Sequence, residues 1–97
     1  PDAQIMGGIT EFMKVAALAQ AHDLPIAPHG NQEVHVQLVA AIPNGLTVEF
    51  YNSTTDPMWG QMFEETLMIE DGQVGPSDRP GMGITLNEKA LAPHRIA

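Results

Sequence analysis

Hydrophobic positions along the chain change period several times, and each change marks an element. In TEFMKVAALAQAHD, residues 10–23, Phe12, Val15, Ala16 and Ala19 recur at helical spacing on one face. The segment is built from good helix formers, and Thr10 stands where an N-cap belongs. LPIAPH, residues 24–29, is a short apolar run that predicts a strand. NQEVHVQLVAAIPNG returns to helical spacing at Val34, Leu38 and Ala41, and Pro43, Asn44 and Gly45 stop it. LTVEFY, residues 46–51, alternates again with β-branched and aromatic residues. Ahead of all this, PDAQIMGGI predicts a strand end running into a Gly-Gly turn. Residues 1–51 therefore predict strand, helix, strand, helix, strand, the βαβ rhythm of a parallel α/β protein.

From residue 52 the rhythm is lost. NSTTDPMWGQMFEET is polar, Met-rich and weakly patterned, and predicts a loop. Asp71-Gly72 between LMIE and QVG predicts a hairpin turn. PSDRPGMG predicts loop, and NEKALAP at most one helical turn. The chain thus divides into 1–51 and a tail, 52–97, that must wrap over something else.

Composition narrows the function classes. Twelve acidic against four basic residues give a formal charge of −8. That balance argues against nucleic acid, which needs clustered Lys and Arg, and against an anionic membrane surface. No apolar run reaches the roughly 18–20 residues that span a bilayer. A hydrophobic fraction of 43% suits a folded domain. Without cysteine there is neither a disulfide nor thiol chemistry. At 97 residues only about 60–65% of the unfolded surface is buried on folding, so the chain alone is expected to be marginal. It opens on Pro1 rather than Met, and a complete gene product is not expected.

In a parallel α/β sheet, chemistry collects at the carboxyl ends of strands. Asp2, His29 and Glu49 occupy those places. Alternation puts Pro25, Ala27 and His29 on one strand face, and Thr47, Glu49 and Tyr51 on one face of the next. With neighbouring strands about 4.8 Å apart, the three ionisable groups are expected to share one wall. A carboxylate bonded to one imidazole nitrogen fixes the tautomer and ring direction and raises ring basicity. The second nitrogen is then free for proton transfer. Glu49 inside an apolar strand would be costly if buried unpaired, so it is expected to have a partner.

Other candidates carry less. Gly7-Gly8 fits a tight strand-to-helix turn better than a phosphate site. His29, Glu33 and His35 do not have the spacing of a helical ligand pair, and no metal ligand is assigned. His22 suits a helix C-terminus. Met58, Trp59, Met62 and Phe63 form an apolar cluster expected to pack on a cap domain, and Arg79 and Lys89 are expected to be surface charges.

The same residues carry a family resemblance. PDAQIMGGITEFMKVAALAQAHDLPIAPHG resembles the sixth-to-seventh-strand segment of mandelate-racemase-like members of the enolase superfamily. NQEVHVQLVAAIPNGLTVEF resembles the helix and eighth strand that follow, and LMIEDGQVGPSDRPGMGITLNEKAL resembles their C-terminal tail. The spacings, 27 residues from Asp2 to His29 and 20 from His29 to Glu49, are part of the likeness. The resemblance implies the C-terminal part of a modified TIM barrel, with a tail that returns to the cap domain. It implies removal of the proton α to a carboxylate, with Mg²⁺ stabilising the enediolate. His29 matches the base or acid of a His–Asp dyad, Asp2 its carboxylate partner, and Glu49 an acid that bonds the substrate carboxylate or enediolate. The metal ligands would lie on strands upstream of this chain. The resemblance therefore leads to an acid-sugar dehydratase, expected to be cytoplasmic and homo-oligomeric as a whole enzyme. A 2-hydroxy acid racemase or epimerase is the alternative, and a non-catalytic structural module is a third. Residues 1–97 alone are expected to be inactive.

Overall fold

The computed structural model describes residues 1–52 and 54–96. Two compact units result, Pro1–Phe50 and Tyr51–Ala97. In the first, α1 runs Ile9–Ala21. It starts one residue before the expected Thr10 cap, because Gly8 (φ 106°) turns the chain and no side chain caps the helix. Gly7 and Gly8 both have positive φ, the backbone that makes this turn a glycine position. The helix ends in a Schellman motif: Leu24 N–H bonds Ala19 C=O at 2.9 Å and Asp23 N–H bonds Gln20 C=O at 3.0 Å. Asp23 takes the left-handed position (φ 55°) that glycine usually fills.

The second helix, α2, is Gln32–Ala41, entered through Asn31 in the left-handed region (φ 48°). Of the expected buried face, Val34, Leu38 and Ala41, only Leu38 is buried. Ala41 is exposed, and His35, Leu38 and Ile42 point into the core instead. A histidine is admissible there only because both ring nitrogens find partners, as shown below. The core of this unit joins Ala3, Phe12, Ala16, Ile26, Leu38 and Ile42. Phe12 is fully buried and stacks on His35, ring centroids 5.9 Å apart.

The three expected strands shorten to contact points. Residues 3–7 form turns, with Met6 N–H bonded to Asp2 C=O at 2.9 Å. Ile26 and Gly45 form one parallel bridge: Ile26 N–H bonds Asn44 C=O, and Leu46 N–H bonds Ile26 C=O, each at 2.8 Å. His29 N–H bonds Pro1 C=O at 2.9 Å. Pro25 and Pro28 have no N–H to extend a ladder through 24–29. Residues 1–2 nevertheless lie beside 26–29, which lie beside 44–46, and the Ile26–Gly45 bridge is parallel. Side chains along 25–30 still alternate, with Ile26 and Pro28 inside and Pro25, Ala27 and His29 outside. Asn44 ties the layers together, its Nδ2 donating to Ala16 C=O and Leu24 C=O at 3.0 Å each.

In the second unit, part of the expected loop folds as α3, Trp59–Met62; Ser53 of that loop lies outside the described residues. Trp59 and Phe63 meet edge to face at 5.5 Å. Asp71 (φ 49°) and Gly72 (φ 75°) make the hairpin turn, closed by paired Glu70 and Gln73. Phe63 and Leu86 form an antiparallel bridge. Beside it, Glu65 accepts from Thr85 N–H at 2.7 Å and Thr85 Oγ1 at 2.8 Å, and it pairs with Arg79. Arg79, expected as a plain surface charge, closes this loop. Asn87 caps α4, Glu88–Leu91, and a 3₁₀ turn, Ala92–His94, follows. No helix among the described residues is long and apolar enough to cross a membrane.

Candidate active site

The site is assembled where the segment ends of the first unit meet. Asp2 follows Pro1, whose carbonyl is fixed by His29 N–H. The main-chain turn after Asp2 brings Gln4 N–H to Asp2 Oδ1 at 2.8 Å. Asp2 Oδ2 then faces His29 Nδ1 at 3.3 Å and Asn31 Nδ2 at 3.4 Å. The Asp2 side chain is buried (8% exposed), whereas that of His29 is 69% exposed. A buried carboxylate thus holds one nitrogen of an accessible imidazole. With Nδ1 donating to Asp2, Nε2 is the ring nitrogen left for proton transfer.

Burial works to raise the Asp2 carboxyl, but the Gln4 N–H and the His29 hydrogen bond outweigh it and hold the group below its usual range. Asp2 is therefore ionised at neutral pH. Positive charge on a histidine lowers it further.

Glu49 is exposed rather than buried, contrary to the expectation of an interior strand carboxylate. Its Oε2 accepts from Gly30 N–H at 2.8 Å, next to His29 in the chain. The structure therefore joins Asp2 to His29 directly and Glu49 to the same loop through Gly30. Sequence reasoning missed His35. Its ring is fully buried, 3.0 Å from Ala3 N–H through Nε2 and 2.7 Å from Gly30 C=O through Nδ1. The available signal was the helical spacing of His35, Leu38 and Ile42, three and then four residues apart.

These residues do not fit a resident metal ion. Both Asp2 oxygens face N–H donors, and the located Glu49 oxygen faces the Gly30 N–H. Among the described residues no group of three His, Asp or Glu side chains is placed to hold a cation.

The sequence matches the enolase C-terminal domain-like family over residues 1–90. The chain belongs to that family. It is 41% identical over 91 residues to the L-talarate/galactarate dehydratase of Salmonella typhimurium, covering 93% of this chain and 21% of that protein. A crystal structure of a mandelate racemase/muconate lactonizing enzyme from Polaromonas sp. JS666 superimposes with a TM-score of 0.82 at 40% identity. A second crystal structure, L-talarate dehydratase from Polaromonas sp. JS666 complexed with Mg and L-glucarate, has a TM-score of 0.81, also at 40% identity. Each covers 95% of this chain and 24% of the solved one. The chain thus spans about a quarter or less of the length of the relatives it matches.

Proposed function

We propose that this chain supplies one acid–base face of an acid-sugar dehydratase. The observation that carries the reading is an accessible His29 held by a buried, ionised Asp2. Its support is the 41% identity to a talarate/galactarate dehydratase. In the reaction, the C2 proton and the C3 hydroxyl leave as water, and the resulting enol becomes a 2-keto-3-deoxy acid. His29 Nε2 takes the C2 proton or protonates the departing C3 hydroxyl. Asp2 stabilises the imidazolium that the first role forms and sets the ring direction for both. Glu49, anchored by Gly30 N–H, receives a hydrogen bond from the substrate or, when protonated, donates one. Mg²⁺, a component of the related glucarate complex, belongs to this proposal as an ion held by residues outside these 97 positions. The whole enzyme is proposed to be a homo-oligomer.

The test is a panel of aldaric and aldonic acids given with Mg²⁺ to the full-length enzyme, followed by NMR in D₂O. Formation of a 2-keto-3-deoxy acid is expected. Exchange or inversion at C2 without water loss would replace this reading with that of a racemase or epimerase.

A further inference from the structure

We propose that His35, through its buried Nδ1–H tautomer, is the positioning residue of this site; the proposal rests on the dehydratase reading above. The tautomer follows from the partners. Ala3 N–H donates, so His35 Nε2 accepts at 3.0 Å; Gly30 C=O accepts, so Nδ1 carries the proton at 2.7 Å. The ring therefore bridges the residue after Asp2 to the residue after His29. The Gly30 carbonyl bonds His35 while the Gly30 N–H bonds Glu49, so one imidazole steadies the supports of all three proposed site residues.

The tautomer has a second effect. His35 Nε2 lies 3.7 Å from Asp2 Oδ1. As a lone pair it donates nothing to Asp2, and the carboxylate stays committed to Gln4, Asn31 and His29. A ring with a proton on Nε2 would oppose the Ala3 N–H and compete with the Gln4 N–H for Asp2 Oδ1. Phe12, stacked on the ring, holds its plane. A displacement of about 1 Å at a proton-transfer group reduces turnover by about 10²-fold.

The experiment uses the full-length enzyme with His35→Phe, His35→Asn and His35→Gln, and His29→Asn as the reference. Phe keeps the ring and loses both bonds. Asn has an amide where Nδ1 lies, and Gln has an oxygen where Nε2 lies. The expected result is a kcat for His35→Phe about 10²-fold below wild type with KM within about threefold, and intermediate kcat for Asn and Gln. If His35→Phe has the highest kcat of the three, the ring only fills space and the proposal fails. The imidazole ¹⁵N shifts of the unmutated enzyme supply a second measurement independent of variant folding. Proton on Nδ1 of His35 at neutral pH supports the assignment, and proton on Nε2 overturns it. His29→Asn separates the two levels. Retained turnover there defeats the dehydratase roles themselves, whereas lost turnover with wild-type kcat in His35→Phe defeats the positioning role alone.

Discussion

Replacing Asp2 by Asn removes one charge and leaves the volume almost unchanged. Gln4 N–H at 2.8 Å retains the amide oxygen, because that contact is the shortest of the Asp2 side-chain bonds. The new NH₂ then occupies the Oδ2 position, 3.3 Å from His29 Nδ1 and 3.4 Å from Asn31 Nδ2. It accepts from neither. His29 must turn its Nδ1 lone pair toward the amide, and the ring proton moves to Nε2. That tautomer cannot accept a proton at Nε2. A charge-assisted hydrogen bond contributes about 1.5–3 kcal/mol. The length of this one and the 69% exposure of His29 place the stability loss at the bottom of that range, about 1.5 kcal/mol. The catalytic loss is larger, because the base is in the wrong form: kcat is expected to fall by about 10²–10⁴. The assay is steady-state kinetics of the full-length enzyme on the proposed acid-sugar substrate, with thermal melting as the fold control. A kcat within about threefold of wild type, in a protein that melts normally, would mean that Asp2 does not set the tautomer of a catalytic His29.

Gly45→Ala should lower stability by about 1–3 kcal/mol or prevent folding, because the new Cβ would lie 2.4 Å from the Val39 carbonyl oxygen; urea melts measure it. Asp23→Gly should raise stability by up to about 1 kcal/mol by relieving the left-handed Asp23 at the end of α1, read as an upward shift in melting temperature. Glu65 is opposed by desolvation but held down by Thr85 and Arg79 to about 2. A lowered carboxyl contributes stability above its ordinary value of 4.5 and loses it as pH falls from there toward about 2. Glu65→Gln should therefore flatten the acid response over that window, followed by Trp59 fluorescence of the 97-residue chain, whose single Trp it is.

The helices and tight turns were legible because they depend on local chemistry. Periodicity located α1 and α2, Gly7-Gly8 marked the entry to α1, and Asp71-Gly72 marked the hairpin. Alternation correctly separated Ile26 from Pro25, Ala27 and His29. The strands were over-read, since apolar runs suggest ladders while Pro25 and Pro28 remove the donors that ladders need. The α2 face was read from apolar residues alone as Val34, Leu38 and Ala41; Leu38 is buried, Ala41 is exposed, and the buried His35 was left off it. His35 is buried because two main-chain groups distant in sequence, Ala3 N–H and Gly30 C=O, satisfy it, and a linear pattern carries no record of such pairing. Glu49 was expected inside a strand and lies exposed, with one carboxylate oxygen on the Gly30 N–H of a neighbouring loop. Arg79 acquires its role from Glu65, fourteen residues earlier, for the same reason.

The most direct measurement is turnover of an acid sugar by the full-length enzyme carrying His29→Asn, with substrate affinity measured in parallel. Dehydration is expected to fall by at least about 10²-fold while the dissociation constant stays within about threefold. Turnover near wild type would show that the imidazole held by Asp2 is not the proton-transfer group, and the proposed acid–base face would be lost with it.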